Sequence, residues 1–86
     1  MHELEQELSR LGQYQELDAR GLSCPMPLLK AKQSLNAMAA GELLKVMATD
    51  PGSVRDFASF AELSGHKLVY TGEESGVFIY VLKKHG

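Results

Sequence analysis

A second cysteine is missing from this chain. With one cysteine among 86 residues, Cys24 cannot close an internal disulfide, so whatever its thiol does must end on another molecule. Missing too is any apolar run near the ~20 residues needed to span a bilayer, which leaves no transmembrane helix. The Glu-rich N-terminus holds no hydrophobic signal-peptide segment, and one cysteine without a secretion signal points to a reducing cytoplasm. There is no basic surplus: a formal charge of −2 and a pI near 5.9, with no basic stripe interleaved with aromatics, argue against direct nucleic-acid binding. His2, His66 and His85 lack metal-ligand spacing with one another or with Cys24, so no metal and no cofactor is expected. A Ser-His-Asp order, a phosphate loop and a paired-carboxylate motif are all absent, and autonomous catalysis is not expected. Internal repeats and low-complexity tracts are lacking as well.

What remains is one small domain of ordinary globular composition. Residues Met1 to Gln13 form an N-terminal extension in which Leu4, Leu8 and Leu11 share one face at helical spacing. It reads either as a short docked helix or as a frayed segment. The domain proper runs from residue 14 to residue 86. Tyr14 to Ala19 reads as a strand that Gly21 breaks. Leu28, Ala31, Leu35 and Met38 then recur at helical spacing up to Gly41, with Pro25 as first helical residue and Cys24 as its cap. Glu42 to Thr49 reads as a second strand. Asp50-Pro51-Gly52-Ser53 opens a second helix, capped either by Asp50 or by Ser53 paired with Asp56. Val54, Phe57, Ala58 and Ala61 are its expected buried stripe, and Gly65 its stop. Lys67 to Thr71 and Val77 to Lys83 read as strands joined by a loop over Gly72 to Gly76.

This order predicts an α+β fold: a two-layer α/β sandwich, βαβαββ, with a four-stranded mixed sheet and both helices on one face. Each helix starts beyond the C-terminal end of its preceding strand, so Cys24 and the Asp50–Ser53 turn belong at the same end of the molecule. That end is the candidate site. The second strand is apolar at nearly every position and the fourth at both parities. The sheet face away from the helices therefore offers an apolar patch to a partner, unless the N-terminal segment covers it.

At a helix N-terminus the dipole and free N–H groups favour an anion, so the Cys24 thiolate is expected to be stabilised. Arg20 and the first-turn lysines add positive potential if they point that way. Pro25 and Pro27 remove two donors and leave Met26 as the amide able to reach the sulfur, so a moderately lowered thiol pKa is predicted. An inert, buried cysteine is the alternative.

The run Leu17-Asp18-Ala19-Arg20-Gly21-Leu22-Ser23-Cys24-Pro25-Met26-Pro27 resembles the signature of the TusA/SirA family of small sulfur-carrier proteins. The likeness continues through Ala48-Thr49-Asp50-Pro51-Gly52-Ser53-Val54-Arg55-Asp56-Phe57 and Gly65-His66-Lys67-Leu68, and spans the chain from about Tyr14 to Lys84. It implies the βαβαββ sandwich read above. It also implies that Cys24 accepts sulfane sulfur as a persulfide from a cysteine desulfurase or rhodanese-like donor and relays it to an acceptor protein's cysteine. Family members serve tRNA 2-thiouridine formation, molybdenum-cofactor synthesis or sulfur oxidation. Pro25 and Pro27 support the motif. Arg20, Met26, Lys32, Asp50, Pro51 and Arg55 are candidate partner-contacting residues. The plainer reading of Asp50 and Arg55 is a helix cap and a local ion pair, and that of Lys30 and Lys32 is a solvated helix face. A regulatory protein-interaction module and a thiol redox sensor are the competing functions. A monomer is expected, with a dimer through the sheet face left open.

Overall fold

The structure is a computed structural model and describes residues 14–85. The expectations for Met1 to Gln13 lie outside the described residues. Strand alternation decides how the sheet is used. Along Leu43–Ala48 (β2), Leu44, Val46 and Ala48 point to one face and are buried there with Tyr80 and Leu82 of Val77–Lys83 (β4). Tyr14–Ala19 (β1) pairs with β2 in parallel, with Leu17 opposite Val46 and Ala19 opposite Ala48. β4 pairs antiparallel with β2 on the other side, and Lys67–Glu74 (β3) pairs antiparallel with β4, giving the order β1-β2-β4-β3. The helices Met26–Asn36 (α1) and Gly52–Ser64 (α2) both pack on the face carrying Leu44, Val46, Tyr80 and Leu82. The predicted two-layer βαβαββ sandwich is the fold observed.

In α1 the predicted stripe holds: Ala31, Leu35 and Met38 are buried, Leu28 is partly so, and Pro27 joins them. The helix ends earlier than expected, at Asn36, and a turn carries the chain to Gly41. In α2 the stripe is rotated from the predicted one. Ser53 and Phe57 are buried and Phe60 and Ala61 half-buried, while Val54 and Ala58 are exposed. The reason is a hydroxyl pair: Ser53 Oγ and Tyr80 Oη lie 2.8 Å apart inside the core, so a polar residue can occupy an inward position. One turn on, Phe57 stacks on the Tyr80 ring, with centroids 4.4 Å apart and planes 9° from parallel. Gly65 stops α2 in the left-handed conformation, as expected (φ 84°).

The hairpin differs as well. β3 continues to Glu74, and only Ser75 and Gly76, both at positive φ, form the turn. Gly72 pairs with Ile79 within the strand, and a residue without a side chain is needed there because the Tyr70 hydroxyl lies 2.6 Å from where a Cβ would sit. Of the two outcomes left open for the second sheet face, an apolar patch or a covered face, the described residues of β2 and β4 show burial, while Tyr70 beside Val81 stays exposed. Leu43, Lys45, Ile79 and Val81 on that face are all buried. The exposed large apolar residues of the helical layer are Met26, Leu29, Val54 and Leu63.

No buried side-chain nitrogen or oxygen among the described residues lacks a hydrogen-bond partner. Tyr80→Phe strands the buried Ser53 hydroxyl and is expected to cost about 1–2 kcal/mol in urea unfolding. Adding Ser53→Ala removes the stranded group and should recover part of the loss. Equal stabilities of wild type and Tyr80→Phe would show that the pair does not fix the rotation of α2.

Candidate functional site

Parallel pairing of β1 and β2 brings the starts of α1 and α2 together at one end of the sheet. The loop after β1 is tied down twice. Leu22 N–H donates to the Ala19 carbonyl (3.3 Å), and Gly21 N–H to Thr49 Oγ1 at the end of β2 (2.9 Å). Gly21 takes positive φ (82°), the conformation a glycine allows there. The next residues climb into α1 through Cys24 and Pro25, joined by a cis peptide. Across from them, Asp50 Oδ2 accepts the Gly52 N–H (3.0 Å) and the Asp50 carbonyl accepts the Ser53 N–H (3.1 Å), opening α2. Neither expected cap is used as such: Pro51 occupies the cap position (φ −60°, ψ −28°), Ser53 is buried within the helix, and Asp50 holds the turn from one residue before.

Cys24 is exposed and lies against Gly52. A Cβ added there would sit 3.3 Å from Cys24 Cβ, 3.5 Å from its Sγ and 2.9 Å from Asp50 Oδ2. Glycine is thus what lets the thiol rest on the start of α2. Four residues further on the same helix face, Asp56 Oδ2 accepts the Cys24 thiol proton, with Sγ 2.5 Å away.

This contact reverses the expected electrostatics. The Cys24 pKa is raised above its ordinary value. The hydrogen bond to Asp56 is the main cause, followed by desolvation and the negative charges of Asp56 and Asp50; Arg55 opposes them too weakly to prevail. The predicted stabilisation of the thiolate fails for three local reasons. Met26 N–H, the one amide expected to reach the sulfur, donates to the Ser23 carbonyl instead (2.8 Å). The helix is capped by Pro25 rather than Cys24, which displaces the sulfur from the cap position. Arg20 faces away: its Nε and Nη2 grip the Asp18 carboxylate at 2.8 and 2.9 Å, and these bonds hold the Asp18 pKa down to about 2.

The structure therefore gathers Cys24, Pro25, Asp50, Pro51 and Arg55 at one rim, with Met26 exposed beside them. Pro27 is buried beneath as a core residue. Lys32 lies further along α1, its ammonium 5.5 Å from the centre of the Phe60 ring, in a groove between the helices shared with Leu28, Asp56 and Leu63. Gly52 and Asp56 were not among the candidate site residues. The available signal was their i, i+4 spacing, which puts both on the face of α2 that meets the first helix. Among the described residues no group of three or more His, Cys, Asp or Glu could hold a metal ion, and no helix is long and apolar enough to cross a membrane.

Comparison with known proteins points the same way. The family model described as "Sulfurtransferase TusA" matches residues 15–84. A protein named sulfur carrier protein TusA from Allochromatium vinosum is 56% identical over 70 residues, covering 81% of this chain and 92% of that one. A protein of the same name from Pseudomonas putida is 46% identical over 68 residues, covering 79% and 85%. Among solved structures, a SirA-like protein from Desulfitobacterium hafniense superposes with a TM-score of 0.73 at 26% identity, covering 84% of this chain and 99% of that one.

A raised thiol pKa has a direct readout. The thiolate is the reactive form, so alkylation of Cys24 by iodoacetamide should follow a pH profile with its midpoint above the ordinary value of 9.0. At pH 7.5 the folded protein should react more slowly than the same chain in urea. A midpoint below the ordinary value would mean that the carboxylates do not govern the thiol.

Proposed function

The chain belongs to the sulfurtransferase TusA family, and on that premise we propose that it is a sulfur carrier in which Cys24 is the residue that bears the sulfur. The observation that carries this reading is the setting of Cys24. It is the only cysteine of the chain, exposed, and held in the Cys-Pro-Met-Pro motif against the start of a second helix. In loading, Cys24 gives up its proton and its sulfur attacks the outer sulfur of a donor's cysteine persulfide. The donor's S–S bond breaks, the donor leaves as a thiolate that takes up a proton, and Cys24 is left as the persulfide. No net oxidation occurs. Delivery repeats the step, with an acceptor thiolate attacking the outer sulfur on Cys24. A neighbouring thiol would intercept the cargo and expel sulfide; the chain has none.

The donor is a cysteine desulfurase or a rhodanese-like protein and the acceptor a protein cysteine. The candidate pathways are tRNA 2-thiouridine formation, molybdenum-cofactor synthesis and sulfur oxidation. Exposed Met26, two residues from Cys24, and the exposed Leu29, Val54 and Leu63 elsewhere on the two helices suit protein partners, since exposed apolar side chains contribute to interaction surfaces. Work on a reduced thiol fits the cytoplasm. The redox-sensor alternative predicts peroxide-dependent adducts as the only modification of Cys24.

The test is intact mass without reductant after incubation with a cysteine desulfurase and free cysteine. Wild type should gain one sulfur atom, and Cys24→Ser none. A wild-type protein that binds the desulfurase yet gains no sulfur would favour a regulatory interaction module instead.

A further inference from the structure

Cys24 faces more negative than positive charge. Asp56 touches its sulfur from α2, Asp50 acts on it from the turn before that helix, and Arg55 alone opposes them. From its own side no help arrives. Pro25 and Pro27 have no N–H, the Met26 amide is spent on Ser23, and Arg20 is held by Asp18. Lys32 shares the groove with Asp56 but sits over the Phe60 ring. A thiol whose task is nucleophilic attack thus rests on a carboxylate that opposes its ionisation.

We propose that Asp56 is a specificity-determining residue of this site: it keeps Cys24 protonated in the free carrier and surrenders it when a cationic side chain of a sulfur donor or acceptor pairs with the Asp56 carboxylate. The proposal rests on the carrier reading above. A cation paired with Asp56 offsets the nearest negative charge and draws the carboxylate off the thiol, so the thiolate forms inside the complex and its proton passes to solvent or to the departing donor thiolate. In the free protein the same carboxylate keeps the sulfur from small electrophiles and oxidants, which bring no cation to displace it. Asp56 does not serve as the base. It selects which encounters find a reactive sulfur.

Asp56→Asn separates the two effects. Alkylation of free Asp56→Asn by iodoacetamide should speed up several-fold at pH 7.5, with its pH midpoint lowered. Loading by a cysteine desulfurase and cysteine should not rise in step. The ratio of loading rate to alkylation rate is expected to fall roughly fivefold, the worth of one lost ion pair. Loading of Asp56→Asn should also depend less on salt than that of wild type. An alkylation midpoint that stays or rises overturns the proposal, and so does loading that accelerates in parallel with alkylation. If the variant does not fold, wild type alone decides: added salt should quicken its alkylation while slowing its loading, and parallel responses overturn the idea. Failure of wild type to take up sulfur at all would instead sink the carrier reading, and the alkylation arm is independent of that outcome.

Discussion

The contact of Cys24 with the start of α2 is the constraint from which the site follows. It exists because β1 and β2 run parallel, so both helices must begin at the same edge of the sheet. Gly52 leaves room for the sulfur, and Asp56, four residues on, reaches it. Without that approach Cys24 would be an ordinary exposed thiol on a loop. With it, the reactivity of the sulfur is set by a residue 32 positions away in sequence, and anything that disturbs Asp56 is felt at the sulfur.

The fixed geometry has a second source on the adjoining face of α2. Ser53 and Phe57 face inward and are locked to Tyr80, one by a hydroxyl pair and one by ring stacking. Gly52 and Asp56 are their immediate neighbours in sequence and face the thiol. The helix thus carries its anchor and its functional side on adjacent residues, and the core sets the site's rotation as well as its stability. Burial raises the Tyr80 pKa, and the Asp56 charge adds to the effect while the bond to Ser53 opposes it, so core hydroxyl and rim carboxylate sit within electrostatic reach. A mount of this kind loses little freedom when a partner closes over it, which lowers the entropic cost of brief, repeated encounters.

The fold was legible because the strands alternate and the helices repeat. Leu44, Val46 and Ala48 announce one buried face, and Ala31, Leu35 and Met38 one helical stripe, without knowledge of what lies opposite. The errors fall where a distant residue decides. Ser53 reads as a surface cap until Tyr80 supplies a buried partner. Gly72-Glu73-Glu74 reads as a loop until pairing with Val77 to Ile79 claims it for an edge strand. The thiol shows the same limit. Its local sequence describes a helix terminus that favours an anion, and the reversal comes from Asp50 and Asp56, which only the folded chain brings to it.

That reversal gives the lone cysteine a consistent chemistry. Exchange at sulfur needs a thiolate, yet a thiolate permanently exposed at physiological pH also reacts with oxidants and stray disulfides. A carrier cannot escape this by burying its sulfur, because two different proteins must reach it. Nor can it recruit a second thiol for protection, since that thiol would take the cargo. The remaining means is electrostatic: an exposed sulfur kept protonated by adjacent carboxylates, with exposed Met26 beside it on a rim that a protein surface would cover. Covering the rim strengthens any cation brought against Asp56, because charges interact more strongly once water is excluded. Exposure, the absence of a second thiol and the acidic setting of Cys24 are then three parts of one solution to moving reactive sulfur between proteins.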